Sequence, residues 1–295
     1  MKICFACIQT LPKERFSKKQ WQAKHQRRCK DCVAGKREVM LEEVPKDADG
    51  ALCWTDEDLF KQPPPNDECP ICLMTLPLEY NYQKYQACCG KVVCNGCIHA
   101  ASKADRRGLC PFCRTPGVTL EGGAIERMKK RAEGGDADAI LLLGDFYEDG
   151  RMGFPQNFKK ANKLWLRAGE LGHAVAHCNI GFAYENGRGV ERDMKKAKYY
   201  YELAAMKGEV YARNNLGNLE YRAGNMNRAV KHFMIAAGAG HDKSLKKIRE
   251  CFLNGYATKD GFEEALRANK DSKDEMRSEQ RETAAADQGI LCMFL

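Results

Sequence analysis

No stretch of this 295-residue sequence approaches the ~18 consecutive apolar residues that a bilayer-crossing helix requires, although 44% of its residues are hydrophobic. The opening residues, Met1 to Cys7, hold neither a long apolar segment nor a small-residue cleavage pattern, so no signal peptide is expected. Both absences point to a cytoplasmic or nuclear protein without a membrane span. Histidine is scarce: six residues, none in the His-Glu-x-x-His spacing of a metallohydrolase. There is no phosphate loop and no hydrolase nucleophile constellation, so no catalytic residue is assigned.

Cysteine, by contrast, is abundant, with sixteen residues. In a short secreted chain this would suggest disulfides. In a chain without a secretory signal, cysteines arranged as C-x-x-C pairs suggest metal binding. Five pairs occur: Cys4/Cys7, Cys29/Cys32, Cys69/Cys72, Cys94/Cys97 and Cys110/Cys113. Cys88 and Cys89 stand next to each other. These thiols are what three tetrahedral four-sulfur sites need, so three zinc ions are expected. Cys53, Cys178, Cys251 and Cys292 fit no ligand spacing.

The formal net charge of +8 is unevenly placed, because residues 1–46 hold twelve Lys/Arg against five Asp/Glu. Composition divides the chain into a basic four-cysteine module at 1–36, a linker at 37–65 that stops at Pro63-Pro64-Pro65, a dense cysteine cluster at 66–118, a helix-forming region at 121–270 and a polar tail at 271–295. Within the linker, Trp54, Leu59 and Phe60 are able to pack locally.

The helix-forming region repeats. Gly135, Gly172, Gly208 and Gly240 serve as register marks, and eight residues after them come Leu143, Ile180, Leu216 and Ile248. The next residue is Gly144, Gly181 and Gly217, until Arg249 breaks the pattern. Later in each unit Ala161, Ala197, Ala229 and Ala265 are followed four residues on by Trp165, Tyr201, Phe233 and finally Asn269. Ile140, Leu143, Phe146 and Tyr147 share one helical face, and Ala161, Leu164, Trp165 and Ala168 share another. A period in the thirties with two amphipathic helices per unit predicts an α-solenoid. The small residues at the glycine and alanine positions let paired helices approach closely. The segments Ala176 to Gly189 and Asp193 to Gly208 resemble Sel-1-like repeats, relatives of the tetratricopeptide repeats. A half unit precedes the first mark, through Ala124, Met128, Ala132 and Glu133. The fourth unit loses its aromatic at Asn269 and is expected to act as a polar terminal cap.

In the central cluster, C-x-x-C turns allow both sulfurs to reach one metal. Eight ligands over this length suit two sites, and sequential pairing would put Cys69, Cys72, Cys88 and Cys89 together. The segments Cys69-Pro70-Ile71-Cys72, Cys89-Gly90-Lys91-Val92-Val93-Cys94 and Cys110-Pro111-Phe112-Cys113-Arg114 make the cluster similar to an all-cysteine RING domain. That resemblance implies a cross-brace, with Cys69, Cys72, Cys94 and Cys97 on one zinc and Cys88, Cys89, Cys110 and Cys113 on the other. The adjacency of Cys88 and Cys89 departs from the usual spacing, and His99 is the alternative ligand. The resemblance further implies docking of a charged ubiquitin-conjugating enzyme on Ile71 and Pro111, with Arg114 hydrogen-bonding both ubiquitin and the enzyme. Arginine suits that role through its planar fork of donors.

The first module, Cys4-x2-Cys7-x21-Cys29-x2-Cys32, is a single four-sulfur site with a weak likeness to small protein-binding fingers of the Stc type. Its basic surplus around Phe16 and Trp21 is either a solvated face or a nucleic-acid contact. The ending Cys292-Met293-Phe294-Leu295 has the C-a-a-X form of a prenylation signal, without polybasic support. The expected architecture is therefore mainly α: a helical-hairpin solenoid preceded by two zinc-stabilised modules. The leading expectation is a RING-type ubiquitin ligase whose repeats bind a protein substrate or adaptor. The alternatives are a non-enzymatic zinc scaffold and a nucleic-acid binder acting through residues 1–46.

Overall fold

The computed structural model describes residues 2–3, 10–11, 54–61, 63–105, 107–117 and 123–292. The chain divides into two units, Met1–Trp54 and Thr55–Leu295. In the first, β1 (Lys2–Ile3) pairs antiparallel with β2 (Thr10–Leu11). Its ligand candidates Cys4, Cys7, Cys29 and Cys32 lie outside the described residues, as do Phe16 and Trp21.

The second unit opens with α1 (Asp56–Leu59), a single turn capped by Thr55, whose side chain accepts a hydrogen bond from the Asp58 amide. Asp56, Glu57 and Asp58 fill the turn where the helix dipole favours negative charge. The cysteine-rich module follows. Its hairpin pairs β3 (Gln83–Gln86) with β4 (Lys91–Cys94), which leads directly into α2 (Asn95–Ala104). Cys69, Leu76, Val93, Cys94 and Cys97 form its small core.

Ten helices follow among the described residues, beginning with α3 (Ile125–Glu133), α4 (Ala137–Asp149), α5 (Phe158–Glu170), α6 (Ala174–Asn186) and α7 (Met194–Met206). The series continues through α8 (Val210–Arg222), α9 (Met226–Gly238), α10 (Asp242–Leu253) and α11 (Lys259–Met276), and α12 (Glu279–Cys292) comes last. Each starts and stops for local reasons. Asp136, Asn157 and Asp193 cap α4, α5 and α7 with their side chains. The register glycines Gly135, Gly172, Gly208 and Gly240 sit at φ of 90°, 94°, 88° and 96°, which explains why glycine recurs there.

The repeated glycine–aromatic pairing is the solenoid's internal contact. A Cβ built on Gly144 would fall 2.6 Å from Trp165 Nε1, one on Gly181 2.7 Å from Tyr201 Cδ1, and one on Gly217 2.5 Å from Phe233 Cε1. Glycine thus lets each aromatic ring pack directly against the backbone of the preceding helix. At the fourth unit Asn269 is buried, not solvated as a polar cap, and donates through Nδ2 to the Ala237 carbonyl at 2.9 Å.

Two further segments differ from the sequence-based layout. Residues 55–60, assigned to the linker, fold onto the solenoid with Leu59 fully buried among Tyr201, Ala205 and Leu216. Residues 271–292, assigned to a polar tail, complete α11 and form α12, which returns to the cysteine-rich module and packs on α2. Gly96 admits that contact, since a Cβ there would lie 2.9 Å from the Arg281 amide nitrogen.

Candidate metal centre

The cysteine-rich module is built on two turns of the same construction. In the first, the Leu73 amide donates to the Cys69 carbonyl and the Cys69 amide to the Met74 carbonyl, both at 2.9 Å. In the second, the Arg114 amide donates to the Cys110 carbonyl at 3.0 Å and the Cys110 amide to the Thr115 carbonyl at 2.9 Å. Leu73 and Arg114, the residues after the second cysteine, hold φ of 57° and 60°. Each turn contributes two sulfurs and leaves apolar side chains exposed, Ile71 and Leu73 on the first and Phe112 on the second. The hairpin loop between β3 and β4 and the start of α2 supply the other four sulfurs.

The sulfurs gather into two groups: Cys69, Cys72, Cys94 and Cys97, and Cys88, Cys89, Cys110 and Cys113, with all atoms of a group within 4.8 Å of one another. The grouping is interleaved, so Cys69 and Cys72 do not share a cluster with Cys88 and Cys89. Adjacent Cys88 and Cys89 reach the same cluster because they sit in a hairpin loop closed by Gly90 at φ 72°. His99 belongs to neither group; its Nε2 lies 2.7 Å from Asp287 Oδ2.

The donor set fits a tetrahedral thiolate metal. Metal–sulfur bonds of about 2.3 Å place tetrahedral sulfurs about 3.8 Å apart. Here Cys69–Cys97, Cys72–Cys94 and Cys89–Cys110 stand at 3.9, 3.8 and 4.0 Å, with Cys88–Cys113 at 3.4 Å. All eight are free cysteines. Four ionised sulfurs this close repel one another, and a dication offsets that repulsion. Burial and neighbouring sulfurs push the Cys97 and Cys88 thiols up, whereas the Thr115 hydroxyl holds Cys113 down to about 6.

A positive group reaches the first cluster from α12. Arg281 is 9% exposed and donates to the Thr75 carbonyl at 2.7 Å and the Met276 carbonyl at 2.6 Å, with Nη2 3.6 Å from Cys72 Sγ. On α2, His99 and Lys103 both face Asp287 of α12. Tyr85 of β3 donates to Asp136 Oδ2 at 3.0 Å, and Arg131 donates to both. The cysteine-rich module is therefore fixed at one edge by α12 and at another by α3 and α4.

Of the partner-contact candidates, Ile71 is 39% exposed and Pro111 partly buried. Arg114 is exposed and ion-paired with Asp105 at 3.0 Å, an acid it shares with Arg107. Sequence reasoning passed over Phe112, which is 42% exposed at the place in its turn that Ile71 holds in the other. The signal was available: Cys69-Pro70-Ile71-Cys72 and Cys110-Pro111-Phe112-Cys113 align position for position.

Residues 137–173 and 174–209 match the family model described as the Sel1 repeat. Each matched Sel1 segment is one hairpin, α4–α5 and then α6–α7, ending just past a register glycine. No RING or zinc-finger family model is matched. A sel1-like repeat-containing protein of Acanthamoeba polyphaga mimivirus is 35% identical over 75 residues, 25% of this chain and 14% of its own length. The ERAD-associated E3 ubiquitin-protein ligase component HRD3B of Arabidopsis thaliana is 36% identical over 75 residues, 25% of this chain and 12% of its own. Chitin synthase regulatory factor 3 of Schizosaccharomyces pombe is 30% identical over 87 residues, 28% and 9% of the two chains. The chain thus spans only a small part of the length of these relatives. A solved Sel1 repeat protein from Oxalobacter formigenes superposes on 54% of this chain and 66% of its own, with a TM-score of 0.47 and 28% identity. Among the described residues no helix is long and apolar enough to cross a membrane.

Proposed function

We propose that residues 66–118 are a RING-type module that binds two zinc ions and recruits a ubiquitin-conjugating enzyme, while the Sel1 repeats bind a protein substrate or adaptor. The observation that carries this reading is the interleaved pair of four-sulfur groups, which ties together two matching turns with Ile71 and Phe112 exposed on them. Zinc supplies a structural cross-link to a module whose apolar core is too small to hold those turns alone. The chain's own residues then work by positioning. Ile71, Pro111 and Phe112 offer apolar contact to the conjugating enzyme, and Arg114 offers several donors from one planar group. No nucleophile is needed, since holding a thioester in one orientation lowers the barrier by removing freedom. A third zinc is assigned to Cys4, Cys7, Cys29 and Cys32.

Incubation with a panel of conjugating enzymes, ubiquitin and ATP tests this. Conjugates are expected, and Ile71→Ala or Arg114→Ala is expected to lower their rate about tenfold, equivalent to about 1.4 kcal/mol of transition-state stabilisation. Elemental analysis under reducing conditions is expected to give three zinc ions per chain. A zinc-loaded, folded chain that stays silent across a broad panel sinks the ligase reading. It would leave a zinc scaffold, a reading favoured by the similarity of the repeats to a chitin synthase regulatory factor.

A further inference from the structure

The solenoid already holds a peptide. Residues 55–60 lie on α7–α9: Leu59 is fully buried, its carbonyl accepts from Arg213 Nη1 at 2.6 Å, and Asp56 is ion-paired with Arg228. Phe60 meets His232 at 4.7 Å between ring centres, the planes tilted by 46°, with Arg228 and Lys231 over its ring at 5.7 and 5.2 Å. The groove offers more than this segment uses. Arg213 is 2% exposed, meets the segment through one carbonyl and leaves its Nε without a hydrogen-bond partner. His232 is fully buried, and neither of its ring nitrogens has a partner. A buried guanidinium satisfied by a single carbonyl, beside an unsatisfied imidazole, is costly to keep covered, and that cost favours release of the segment.

We propose that the α7–α9 groove is a peptide-binding site, that residues 55–60 are its tethered internal occupant, and that its external partner is a protein segment carrying acidic residues one helical turn ahead of a Leu-Phe pair. Arg228 selects the acidic end, the pocket around Tyr201 and Leu216 takes the leucine, and His232 with Arg228 and Lys231 takes the aromatic ring. The tether gives the internal segment a millimolar-scale effective concentration, so it acts as a gate that a partner of matching chemistry must displace. This deepens the reading of the repeats as a protein-binding surface and makes no use of the zinc module.

The test uses the full chain and a labelled peptide of residues 54–61, followed by fluorescence anisotropy. Leu59→Ser/Phe60→Ser empties the groove, and that variant is expected to bind the peptide at least about tenfold tighter than the wild-type chain, whose own segment competes. Adding Arg213→Ala, or reversing Asp56 to lysine in the peptide, is expected to cost about tenfold or more. A folded variant, with wild-type circular dichroism, that fails to bind the peptide overturns the proposal. Should that variant not fold, hydrogen exchange on the wild-type chain decides. The Leu59 and Phe60 amides are expected to exchange about a hundredfold faster than the core amides of α7 and α8; equal protection means the segment never leaves, and the proposal fails. Neither readout involves ubiquitin transfer, so failure here is separable from failure of the ligase or substrate reading.

Discussion

Tyr201 packs directly against Gly181 because nothing projects from the glycine's α-carbon, and the same economy recurs where Trp165 meets Gly144 and Phe233 meets Gly217. Two of the three rings also carry a polar end that has been satisfied: Trp165 Nε1 donates to Asp145 at 2.9 Å and Tyr201 Oη to Glu185 at 2.8 Å. The site has no slack, since Tyr201 is fully buried and fixed at both its face and its hydroxyl. Gly181→Ala is therefore expected to act as an overpacking substitution, costing about 1–3 kcal/mol despite alanine's better helix propensity. Urea denaturation followed by circular dichroism checks this. An unchanged or raised midpoint would mean that the ring yields and that the glycine is there for some other reason.

At the scale of elements, α12 shows why part of the architecture was hidden in the sequence. The repeat helices were legible because they bury periodic apolar faces and turn at glycines, and those four register glycines do hold left-handed backbone. The eight cysteines were legible as ligands because C-x-x-C spacing is short-range chemistry, whereas their interleaved grouping followed from the resemblance to a RING domain and not from spacing. α12 carries no comparable stripe: what it buries is Ala284 and Arg281, at 1% and 9% exposure. A helix that docks through a small residue and a guanidinium is read from composition as polar tail. α1 escaped for a different reason, since its single buried leucine gives no period at all. Arg281 joins α12 to the Cys69–Cys72 turn, and its removal leaves the Thr75 and Met276 carbonyls without their donor. Arg281→Ala is expected to speed zinc release to a chelator by about tenfold or more, in the range seen when groups behind metal ligands are removed. Release measured with a chromophoric chelator on the full chain checks this. A wild-type release rate would mean that the guanidinium serves the helix docking alone.

Over the whole molecule, the solenoid interior holds ionisable groups of both signs whose burial opposes charging. Desolvation, aided by nearby cations, lowers His232 to about 3 and His177 to about 4. Desolvation likewise raises Glu202 to about 7 and Asp145 to about 6, the former against the pull of Lys198. The consequences for stability run in opposite directions. The unfolded chain binds more protons at the histidines than the folded one does, so their neutral burial favours folding at neutral pH and that support is lost as pH falls below about 6.5. The folded chain binds more protons at the acids, so their contribution worsens as pH rises from about 4.5 through about 7. Between about pH 5 and 7 the two trends offset each other, and the stability profile of the wild-type chain is expected to be flatter than either set alone would make it. Glu202→Gln removes one acid of the pair while keeping its shape and leaving both histidines in place. Because Glu202 is 2% exposed, the cost of ionising it at pH 8 is carried almost fully by the folded state. The substitution is expected to stabilise the chain by on the order of 3 kcal/mol at pH 8 and by less than about 1 kcal/mol at pH 5, steepening the rise of stability between those values. Denaturant midpoints at the two pH values decide it: an equal shift at both would show that the side chain matters through packing and that its charge state plays no part.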